Sequence, residues 1–511
     1  MKRKVVKGLI SIGIAGLCIT GCGSADGGYG DQGSKDEREL ISSYQAEEGT
    51  YTGNVRTESS LNDYSGSGYA IGFSAEGDQL TITVEVTEDN FYDLDFRAAS
   101  EGGYKENYVS VDGENITSLA TEATEFSDYS VPRVYLTKGE HEVTVSAYWG
   151  QIVVDKLDVY TGSPLDESIY DVPKELVNAN ASDNAKRLFS YLVDNYGENV
   201  ISGQYCTGGI FGHENAVIWK ETGKFPAMVG LDMTYYSQAA RDNNTTEAKS
   251  IDYALEAFEN NTIVTMCWHW MAPSKYITGT WYSSFYKEHT NIDLDKIMNG
   301  EDEEGYNLLV QDMENIASEL TVLRDADVPV LWRPLHEASG GWFWWGNCEA
   351  ESYIKLYQLM YQIFTEEYEL NNLIWVWNGQ DADWYPGDEY VDIIGQDIYP
   401  GYQVYTSRYP KFAETLGYTS ARKIITLSEN GCLFDPDLAI RDGGIWSYFG
   451  TWNGEFISDS DVLNVYSEKY TDAEMLNKVY NHENVITRDE LPDLTTYPME
   501  DGKGKIVSIK D

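Results

Sequence analysis

Two glutamates in the sequence stand where a carboxylate could take part in chemistry at the end of a buried strand. Glu337 follows an apolar run that begins at Val328, and a tryptophan-rich stretch, residues 341–346, comes just after it. Glu429 closes a second apolar run, which begins at Ile424. Apolar and β-branched runs of this length are typical of buried strands. We therefore predict that both carboxylates lie at strand ends, with aromatic rings close to Glu337.

A pair of carboxylates in this position can hydrolyse a glycosidic bond with retention of configuration. One group protonates the leaving oxygen and the other attacks the anomeric carbon, which requires a separation of about 5–5.5 Å. Aromatic surroundings are expected to raise the pKa of Glu337 and make it the proton donor. Glu429, after the small Ser428 and facing a tyrosine hydroxyl, is expected to stay ionised as the nucleophile. The alternative is that Glu337 caps a helix beside a core strand, but His336 and the tryptophans favour catalysis.

The elements that would position these glutamates alternate from residue 173 onward between short apolar segments and longer helical ones. The predicted helices include residues 186–195, 253–259, 308–326 and 353–368. Eight strands are predicted, at residues 200–205, 227–232, 262–268, 328–337, 373–378, 393–399, 423–429 and 445–452. This βα alternation predicts an α/β fold, a (β/α)8 barrel with its chemistry at the carboxyl ends of the strands. No lysine stands at those ends, which disfavours Schiff-base chemistry.

Further polar and aromatic side chains at the strand ends complete the predicted site. His269 follows the third strand, Asp397 and Tyr399 close the sixth, and Trp452 closes the eighth. Aromatic faces and hydrogen-bonding groups together suit a neutral sugar chain. For Asp397 and Trp452 a purely structural role is the alternative. No cluster of histidine and aspartate indicates a catalytic metal, and no cofactor is expected for catalysis.

Motifs at three of these strand ends resemble glycoside hydrolase family 26. They are Trp-Arg-Pro-Leu-His-Glu at 332–337 with Gly-Trp-Phe-Trp-Trp-Gly at 341–346, Gly-Gln-Asp-Ile-Tyr at 395–399, and Ser-Glu-Asn-Gly at 428–431. The resemblance implies that Glu337 is the acid/base, that Glu429 is the nucleophile and that Tyr399 orients the nucleophile. It also implies sugar contacts by His269, His336 and Trp342. The family often has Met-Asn after the His-Glu pair, whereas Ala338 and Ser339 stand here, which puts local loop packing and substrate preference in question.

Most members of that family are endo-β-1,4-mannanases, and some cleave mixed-linkage β-glucan or β-1,3-xylan. The expected function is therefore retaining, internal cleavage of a β-mannan-type polysaccharide by a monomer. A glucanase or xylanase on the same barrel is the nearest alternative. A surface lipoprotein that binds glycans without cleaving them is an alternative from another class, which two retained carboxylates disfavour.

The segment before the barrel, residues 43–161, is predicted to be an all-β jelly roll or sandwich. Alternating runs such as residues 80–86 and 141–147 are separated by turn residues, with no amphipathic helix between them. The segment resembles carbohydrate-binding module family 35 in Tyr-Gln-Ala-Glu-Glu at 44–48, in residues 68–73 and in residues 148–155. The resemblance implies a structural calcium held partly by Glu47 and Asp155, a suitable donor type for this ion. Trp149 is the candidate sugar platform, with a ring covering the core as the alternative.

The N-terminus is predicted to be a lipoprotein signal peptide, residues 1–22. A basic start is followed by a short apolar stretch, residues 8–19, and by Ile-Thr-Gly-Cys, which resembles a lipobox. Cys22 would then carry the lipid, and residues 23–42 would form a flexible tether. The expected location is the outer face of a bacterial membrane or the secreted fraction, with the anchor as the only membrane contact. An ordinary secretory signal with a chance cysteine is the alternative.

Net charge and cysteine content further narrow the kinds of ligand and metal site that the protein could have. There are 36 basic and 84 acidic residues, a formal net charge of −48, which disfavours nucleic-acid partners. Four cysteines remain beyond Cys22 and show no zinc spacing: Cys206, Cys267, Cys348 and Cys432. They are expected to be mainly buried free thiols, with a disulfide at Cys348 left open. The catalytic domain is predicted to span residues 174–497.

Overall fold

The computed structural model describes residues 38–121, 123–245, 247–458 and 465–499, which form a β-sandwich followed by a closed barrel. The predicted N-terminal signal peptide, Cys22 and most of the predicted tether lie outside the described residues. Among the helices that the structure describes, none is long and apolar enough to cross a membrane.

The N-terminal domain packs two antiparallel sheets face to face. Its strands are β1 (Leu40–Gln45), β2 (Thr50–Thr52), β3 (Arg56–Glu58), β4 (Tyr69–Ile71), β5 (Gln79–Val86), β6 (Asn90–Ser100), β7 (Lys105–Val111), β8 (Glu114–Thr121), β9 (Ser127–Leu136), β10 (Gly139–Trp149) and β11 (Ile152–Thr161). One sheet has the order β3-β4-β11-β6-β9 with β1 also on β11, and the other has the order β2-β5-β10-β7-β8. Alternate residues of β5 are buried, as a two-layer sandwich requires. β1 begins at Leu40, so its first residues fall inside the predicted tether, residues 23–42.

The second domain is an eight-stranded parallel barrel. Its strands, in spatial and chain order, are β13 (Gly203–Tyr205), β14 (Met228–Asp232), β15 (Ile263–Cys267), β16 (Val330–Arg333), β17 (Leu373–Trp377), β18 (Ile393–Ile398), β19 (Ile424–Asn430) and β20 (Phe449–Thr451). A separate pair, β12 (Val200–Ile201) with β21 (Val485–Ile486), lies outside the barrel. The predicted fold class, a (β/α)8 barrel preceded by an all-β domain, is confirmed.

Helices of the described chain surround the barrel. They are α1 (Asp183–Asn195), α2 (His213–Thr222), α3 (Gln238–Asp242), α4 (Ser250–Glu259), α5 (Leu294–Met298), α6 (Glu303–Asp325), α7 (Ala350–Tyr361), α8 (Tyr409–Leu416), α9 (Pro436–Asp442) and α10 (Ala473–Tyr480). The barrel strands are buried on both faces, and every residue of β17 and β19 is buried. Short, continuous apolar runs are therefore the correct signature of these strands.

The fourth barrel strand ends earlier than the sequence pattern predicts. β16 stops at Arg333, whereas the predicted strand continues to Glu337. Leu335 and Glu337 have φ angles of 54° and 55°, a left-handed conformation that ends an extended strand. The chain therefore turns sharply between Arg333 and Glu337, and this turn places the Glu337 carboxylate above the barrel rather than along its wall.

The two domains are in direct contact. Arg133 of β9 is buried, and its Nε donates a hydrogen bond of 3.2 Å to the carbonyl of Asp442 at the end of α9. Its guanidinium lies 5.5 Å from the ring centre of Tyr409 in α8. A second contact joins Thr406 Oγ1 to the carbonyl of Asn115 at 3.2 Å. The N-terminal domain is thus docked onto the α8 and α9 side of the barrel.

The four remaining cysteines are free thiols. Cys206, Cys267 and Cys432 are buried and Cys348 is partly buried. The prediction of free thiols is therefore confirmed, and Cys348 has no disulfide partner among the described residues.

Candidate active site

Glu429, at the carboxyl end of β19, is held by two donors. The Tyr399 hydroxyl donates to Glu429 Oε2 at 2.7 Å, and Arg333 Nη2 forms an ion pair with Glu429 Oε1. The carboxylate is only 5% exposed. A buried carboxylate with a cation and an O–H donor is stabilised in its charged form. This arrangement fits the predicted nucleophile.

Arg333 is a part of the site that the sequence pattern did not reveal. Its side chain is fully buried, and its Nη1 reaches Asp397 Oδ2 at 2.8 Å and Asn378 Oδ1 at 3.1 Å. Asp397 also accepts a hydrogen bond of 2.7 Å from Ser428 Oγ. Arg333 therefore balances two buried carboxylates at once. A charged residue inside an otherwise apolar strand was the available signal, because such a residue needs a partner.

Glu337 follows the sharp turn at the end of β16. Its backbone N–H donates to the carbonyl of Asn378 at 2.7 Å, which fixes the turn to the residue that follows the neighbouring strand β17. Its Oε2 accepts a hydrogen bond of 2.9 Å from Trp342 Nε1. Trp342 is 40% exposed, so its ring is available to a ligand beside the carboxylate.

The pKa values of the two glutamates are separated by their neighbours. Burial raises the pKa of Glu337 well above its usual range, and the negative charges of Asp397 and Glu429 raise it further. Burial also raises the pKa of Glu429, but the charge of Arg333 and the hydrogen bond from Tyr399 oppose that rise. The pKa of Glu429 still rises to about 7, and that of Glu337 rises further, so a proton shared by the pair resides on Glu337 and the charge on Glu429. The largest cause of the raised pKa of Glu337 is burial, in a cleft lined mainly by aromatic side chains, and the two neighbouring charges add to it. The hydrogen bond from Trp342 lowers this pKa.

The separation of the carboxylates fits one geometry of glycoside hydrolysis. One oxygen from each of Glu337, Asp397 and Glu429 lies within 4.8 Å of the others. Retaining enzymes hold their two carboxyl groups about 5–5.5 Å apart, and inverting enzymes about 6.5–9.5 Å. The pair is thus placed for direct attack on the sugar by one carboxylate.

Two histidines contact each other beside the glutamates. His336 Nε2 and His269 Nε2 are 3.3 Å apart, and Asp232 Oδ2 lies 2.7 Å from His269 Nδ1. Burial alone would lower the pKa of His269, but Asp232 raises it above its usual range. Burial and the charge of Arg333 lower the pKa of His336. His269 is thus the donor of the pair, and Asp232, at the end of β14, is the second site residue that the sequence pattern missed.

The cleft above these groups has a volume of about 560 Å³ and is lined mainly by aromatic side chains. Its lining contains all but one of the residues predicted at the strand ends, including His269, His336 and Trp452. Asp397 is the exception, since it is buried, forms an ion pair with Arg333 and does not line the cleft. Trp452 packs its ring 4.7 Å from Tyr205 and 5.5 Å from His269.

Two tryptophans of the 341–346 stretch do not face the cleft. Trp344 and Trp345 are buried, and their indole N–H groups donate to the carbonyls of Trp270 and His336. They support the turn that carries Glu337. The expectation that the three tryptophans together form the aromatic loop above Glu337 is therefore wrong for Trp344 and Trp345.

In the N-terminal domain, the residues predicted to bind calcium meet around one turn. Glu47 Oε1 accepts hydrogen bonds from the backbone N–H and hydroxyl of Ser67. Asp155 is fully buried, accepts from the Ser65 N–H at 2.8 Å and faces Arg97 Nε at 3.1 Å. Glu47 Oε2 is buried and has no hydrogen-bond partner among the described residues. A Cβ on Gly66 would lie 2.3 Å from Glu47 Oε1 and 2.6 Å from the Gln45 side-chain oxygen, so these oxygens converge.

Trp149 is exposed at the end of β10. Its ring is 57% exposed and lies 5.7 Å from the ring of Tyr104, with Lys105 Nζ 5.7 Å from its centre. Tyr148 is exposed to the same extent and stacks on Tyr108. The Trp149 ring therefore stands in an open aromatic patch.

Comparison with known proteins assigns each of the two domains to a family. The model of glycosyl hydrolase family 26 matches residues 177–490, and that of carbohydrate binding module family 35 matches residues 42–162. A mannan endo-1,4-beta-mannosidase of Thermothelomyces thermophilus is 34% identical over 88% of this chain and 90% of its own length. Mannan endo-1,4-beta-mannosidase B of Piromyces sp is 33% identical over 90% of this chain and 79% of its own length.

A solved structure resembles both domains together. The crystal structure of a two-domain beta-(1,4)-mannanase of Podospora anserina, which combines the same two families, superposes with a TM-score of 0.62. It is 32% identical, and the match covers 89% of this chain and 99% of the other. The chain therefore belongs to glycosyl hydrolase family 26 and carries a family 35 carbohydrate-binding module ahead of its catalytic barrel.

Proposed function

We propose that the protein is a retaining endo-β-1,4-mannanase that acts on mannan, glucomannan and galactomannan. The observation that carries the reaction type is the close pair of carboxylates, with Glu337 protonated and Glu429 ionised. The substrate is proposed from the mannanases named above, which match most of the chain. The aromatic lining of the cleft supports a neutral polysaccharide.

The first half of the reaction forms a covalent sugar–enzyme bond. Glu429 attacks the anomeric carbon while Glu337 gives its proton to the leaving oxygen, and the glycosidic bond breaks. Arg333 and Tyr399 hold Glu429 so that one oxygen faces the sugar. Trp342 donates a hydrogen bond to Glu337, and its ring stacks on the sugar beside the glycosidic bond that breaks.

The second half restores the enzyme. Glu337, now ionised, takes a proton from water, and the resulting hydroxide equivalent attacks the same carbon and releases Glu429. The pKa of Glu337 is lowered in the covalent intermediate, because the Glu429 charge that raised it is consumed in the ester bond, and it rises again when Glu429 is released. His269 and His336 contact the sugar hydroxyls in both steps.

Product analysis on purified polysaccharides tests this proposal. We expect short manno-oligosaccharides from linear mannan, glucomannan and galactomannan, with the β configuration retained in the first product seen by NMR. Preferred cleavage of mixed-linkage β-glucan or β-1,3-xylan would contradict the substrate. No hydrolysis of any of these would favour a glycan-binding protein.

Tyr399→Phe tests how the nucleophile is held. Loss of a hydrogen bond to a charged group costs about 1.5–3 kcal/mol, so kcat/KM should fall by about 10- to 100-fold. Because the Tyr399 hydrogen bond lowers the pKa of Glu429, its removal raises that pKa. Glu429 must be ionised to attack, so the acidic limb of the pH profile should move to higher pH.

Tyr405→Phe is the matched control, since its hydroxyl donates to Asp472 at 2.8 Å in the same loop but outside the site. Its pH profile should equal that of the wild type. An unshifted acidic limb in Tyr399→Phe would show that this hydroxyl does not stabilise the charged nucleophile.

We further propose that the family 35 module holds a structural calcium through Gln45, Glu47 and Asp155. The unpartnered Oε2 of Glu47 supports this, as do the converging oxygens at Gly66. Burial raises the pKa of Asp155, and a bound cation would offset the cost of burying its charge. Calcium would serve stability and would take no part in hydrolysis.

Calcium removal should therefore lower the melting temperature of the protein. A ligand at 100 times its Kd stabilises by about 2.7 kcal/mol, which calorimetry in EDTA and in added calcium can measure. Glu47→Gln should abolish most of the difference, and Glu48→Gln, at an exposed neighbouring position, should preserve it. Equal melting of the wild type in EDTA and in calcium would contradict the site.

We also propose that the protein is a monomeric lipoprotein whose Cys22 anchors it to the outer face of the cell membrane, with the module holding polysaccharide through Trp149. The sequence Ile-Thr-Gly-Cys after a basic and apolar start supports the anchor. Radiolabelled palmitate should be incorporated by the wild type and not by Cys22→Ser. Labelling of the variant, or none of the wild type, would contradict the anchor.

A further inference from the structure

A row of aromatic rings leads out of the catalytic cleft from Tyr399. The ring centre of Tyr399 lies 5.3 Å from Phe456, Phe456 lies 4.5 Å from Tyr470, and Tyr470 lies 5.0 Å from Tyr402. Successive rings are tilted by 56°, 44° and 39°, so they form a curved and continuous surface. We call Phe456, Tyr470 and Tyr402 the outer aromatic row.

This row is continuous with the site of bond cleavage. Tyr399 and Phe456 line the cleft together with Glu337 and Glu429. Tyr399 also holds the nucleophile, so the row starts directly beside the reacting sugar. A polysaccharide cut at an internal bond must leave the cleft in both directions, and an exit flanked by aromatic rings offers it stacking contacts.

Burial does not explain why Tyr402 stands where it does. Its side chain is 63% exposed, more than almost any other large hydrophobic side chain in the described residues. The chain beside it adopts a left-handed conformation, with φ of 99° at Gly401 and 53° at Gln403. A non-glycine residue in this conformation carries backbone strain, which surrounding contacts must maintain. The loop therefore presents the Tyr402 ring to solvent at a cost in backbone conformational energy.

The contacts that maintain this loop join it to the loop that carries Tyr470. The backbone N–H of Gln403 donates to the Tyr470 carbonyl at 2.7 Å, and its side-chain Nε2 donates to the Glu468 carbonyl at 2.9 Å. Both bonds fix the position of Tyr402 relative to Tyr470. The exposed Tyr402 ring and the partly buried Tyr470 ring are thus preorganised, which reduces the entropy lost when a ligand binds.

The charges around the row balance each other. Lys469 lies 5.4 Å and 4.9 Å from the ring centres of Tyr402 and Tyr470, and it is paired with Glu455 at 2.5 Å. The Tyr470 hydroxyl also donates to Glu455 at 3.1 Å. A surface of aromatic faces with a neutralised ion pair suits an uncharged, hydroxyl-rich ligand better than a charged one.

We propose that the outer aromatic row is a distal subsite that binds uncharged sugar residues of the same β-linked chain whose bond is cut at Glu337 and Glu429. Tyr402 forms the outermost stacking platform. The proposal deepens the proposed function and rests on it. The row acts on chains long enough to reach it and has no part in the chemical step.

Tyr402→Ala tests the subsite when long and short substrates are compared. Loss of one aromatic stacking contact should lower kcat/KM on linear mannohexaose and on mannan by roughly 3- to 10-fold. An aryl β-mannobioside, too short to reach Tyr402, should be cleaved within about twofold of the wild-type rate. The positions at which mannohexaose is cut should also shift, because the chain loses one preferred placement.

Two matched variants separate stacking from other effects. Tyr402→Phe keeps the ring and should behave as the wild type on both substrates. Tyr306→Ala removes an exposed tyrosine of α6 that does not line the cleft, and it should leave both rates unchanged. Unaltered mannohexaose cleavage by Tyr402→Ala would overturn the proposal, as would an equal loss on long and short substrates or a loss in Tyr402→Phe as large as in Tyr402→Ala.

Failure of the proposed function gives a different result. A wild-type protein that cleaves another β-glycan and no mannan contradicts the mannanase assignment. In that case the rates of wild type and Tyr402→Ala on a long and a short oligosaccharide of that glycan test the outer aromatic row. A loss confined to the long oligosaccharide supports the distal subsite, and an equal loss on both contradicts it.

Discussion

Replacement of Glu429 by alanine should abolish turnover of every substrate, including those with good leaving groups. The nucleophile forms the covalent intermediate, and the neighbouring carboxylates are engaged otherwise: Asp397 is buried in an ion pair with Arg333, and Asp232 is bonded to His269. Removal of a nucleophile from a preorganised site costs on the order of 10⁴-fold or more in kcat. Steady-state rates on mannan and on an aryl β-mannobioside measure the loss.

Added azide gives a second readout for this variant. The small anion can enter the space left by the carboxylate and attack the anomeric carbon, so the product should be an α-glycosyl azide with inverted configuration. Glu351→Ala, at a remote surface position of α7, should retain full activity. Turnover with retained configuration in Glu429→Ala would show that another group is the nucleophile.

Replacement of Glu337 by alanine should have the second-largest effect, and the effect should depend on the leaving group. A sugar leaving group needs a proton, so the rate on mannan should fall by about 10²- to 10⁴-fold, the usual contribution of general acid catalysis. A dinitrophenyl leaving group needs none, so formation of the glycosyl-enzyme should be nearly unaffected. A burst of dinitrophenol followed by slow turnover is expected, because Glu337 also activates water.

The pH profile and azide complete this test. Protonated Glu337 sets the alkaline limb of kcat/KM, and that limb should disappear in Glu337→Ala. Azide should accelerate turnover and give a β-glycosyl azide with retained configuration, the opposite of the Glu429→Ala product. Full activity of Glu337→Ala on mannan would exclude it as the acid/base.

The sequence predicted the barrel and the positions of both glutamates because each depends on local patterns. A strand buried on both faces is a short apolar run, and a carboxylate just after such a run lies at the strand end. The predicted strand at 328–337 was nevertheless too long. The left-handed residues Leu335 and Glu337 are held by tertiary contacts, such as the bond from the Glu337 N–H to Asn378, which no local pattern records.

Partners across the barrel could not be predicted in the same way. Arg333 meets Glu429 and Asp397 from strands that lie far apart in sequence, and Asp232 meets His269 across two neighbouring strands. The cause of the raised pKa of Glu337 depends on these contacts too. Burial, which the tryptophan content suggested, has the largest effect on this pKa, but the charges of Asp397 and Glu429 add to it, and only the fold brings these carboxylates close.

The contact of Arg133 with Asp442 and Tyr409 changes how a truncated protein must be interpreted. A version without residues 38–162 would lose any contribution of the proposed binding through Trp149 and would also expose part of the α8 and α9 surface that the module covers. The loop that carries Tyr399 leads directly into α8, and its Thr406 is bonded to the module. Lower activity after truncation would therefore have two causes: the loss of the module's proposed binding to polysaccharide and the loss of contacts that hold the loop carrying Tyr399. Point substitutions such as Trp149→Ala, which leave the interface intact, are the cleaner measure of what the module contributes.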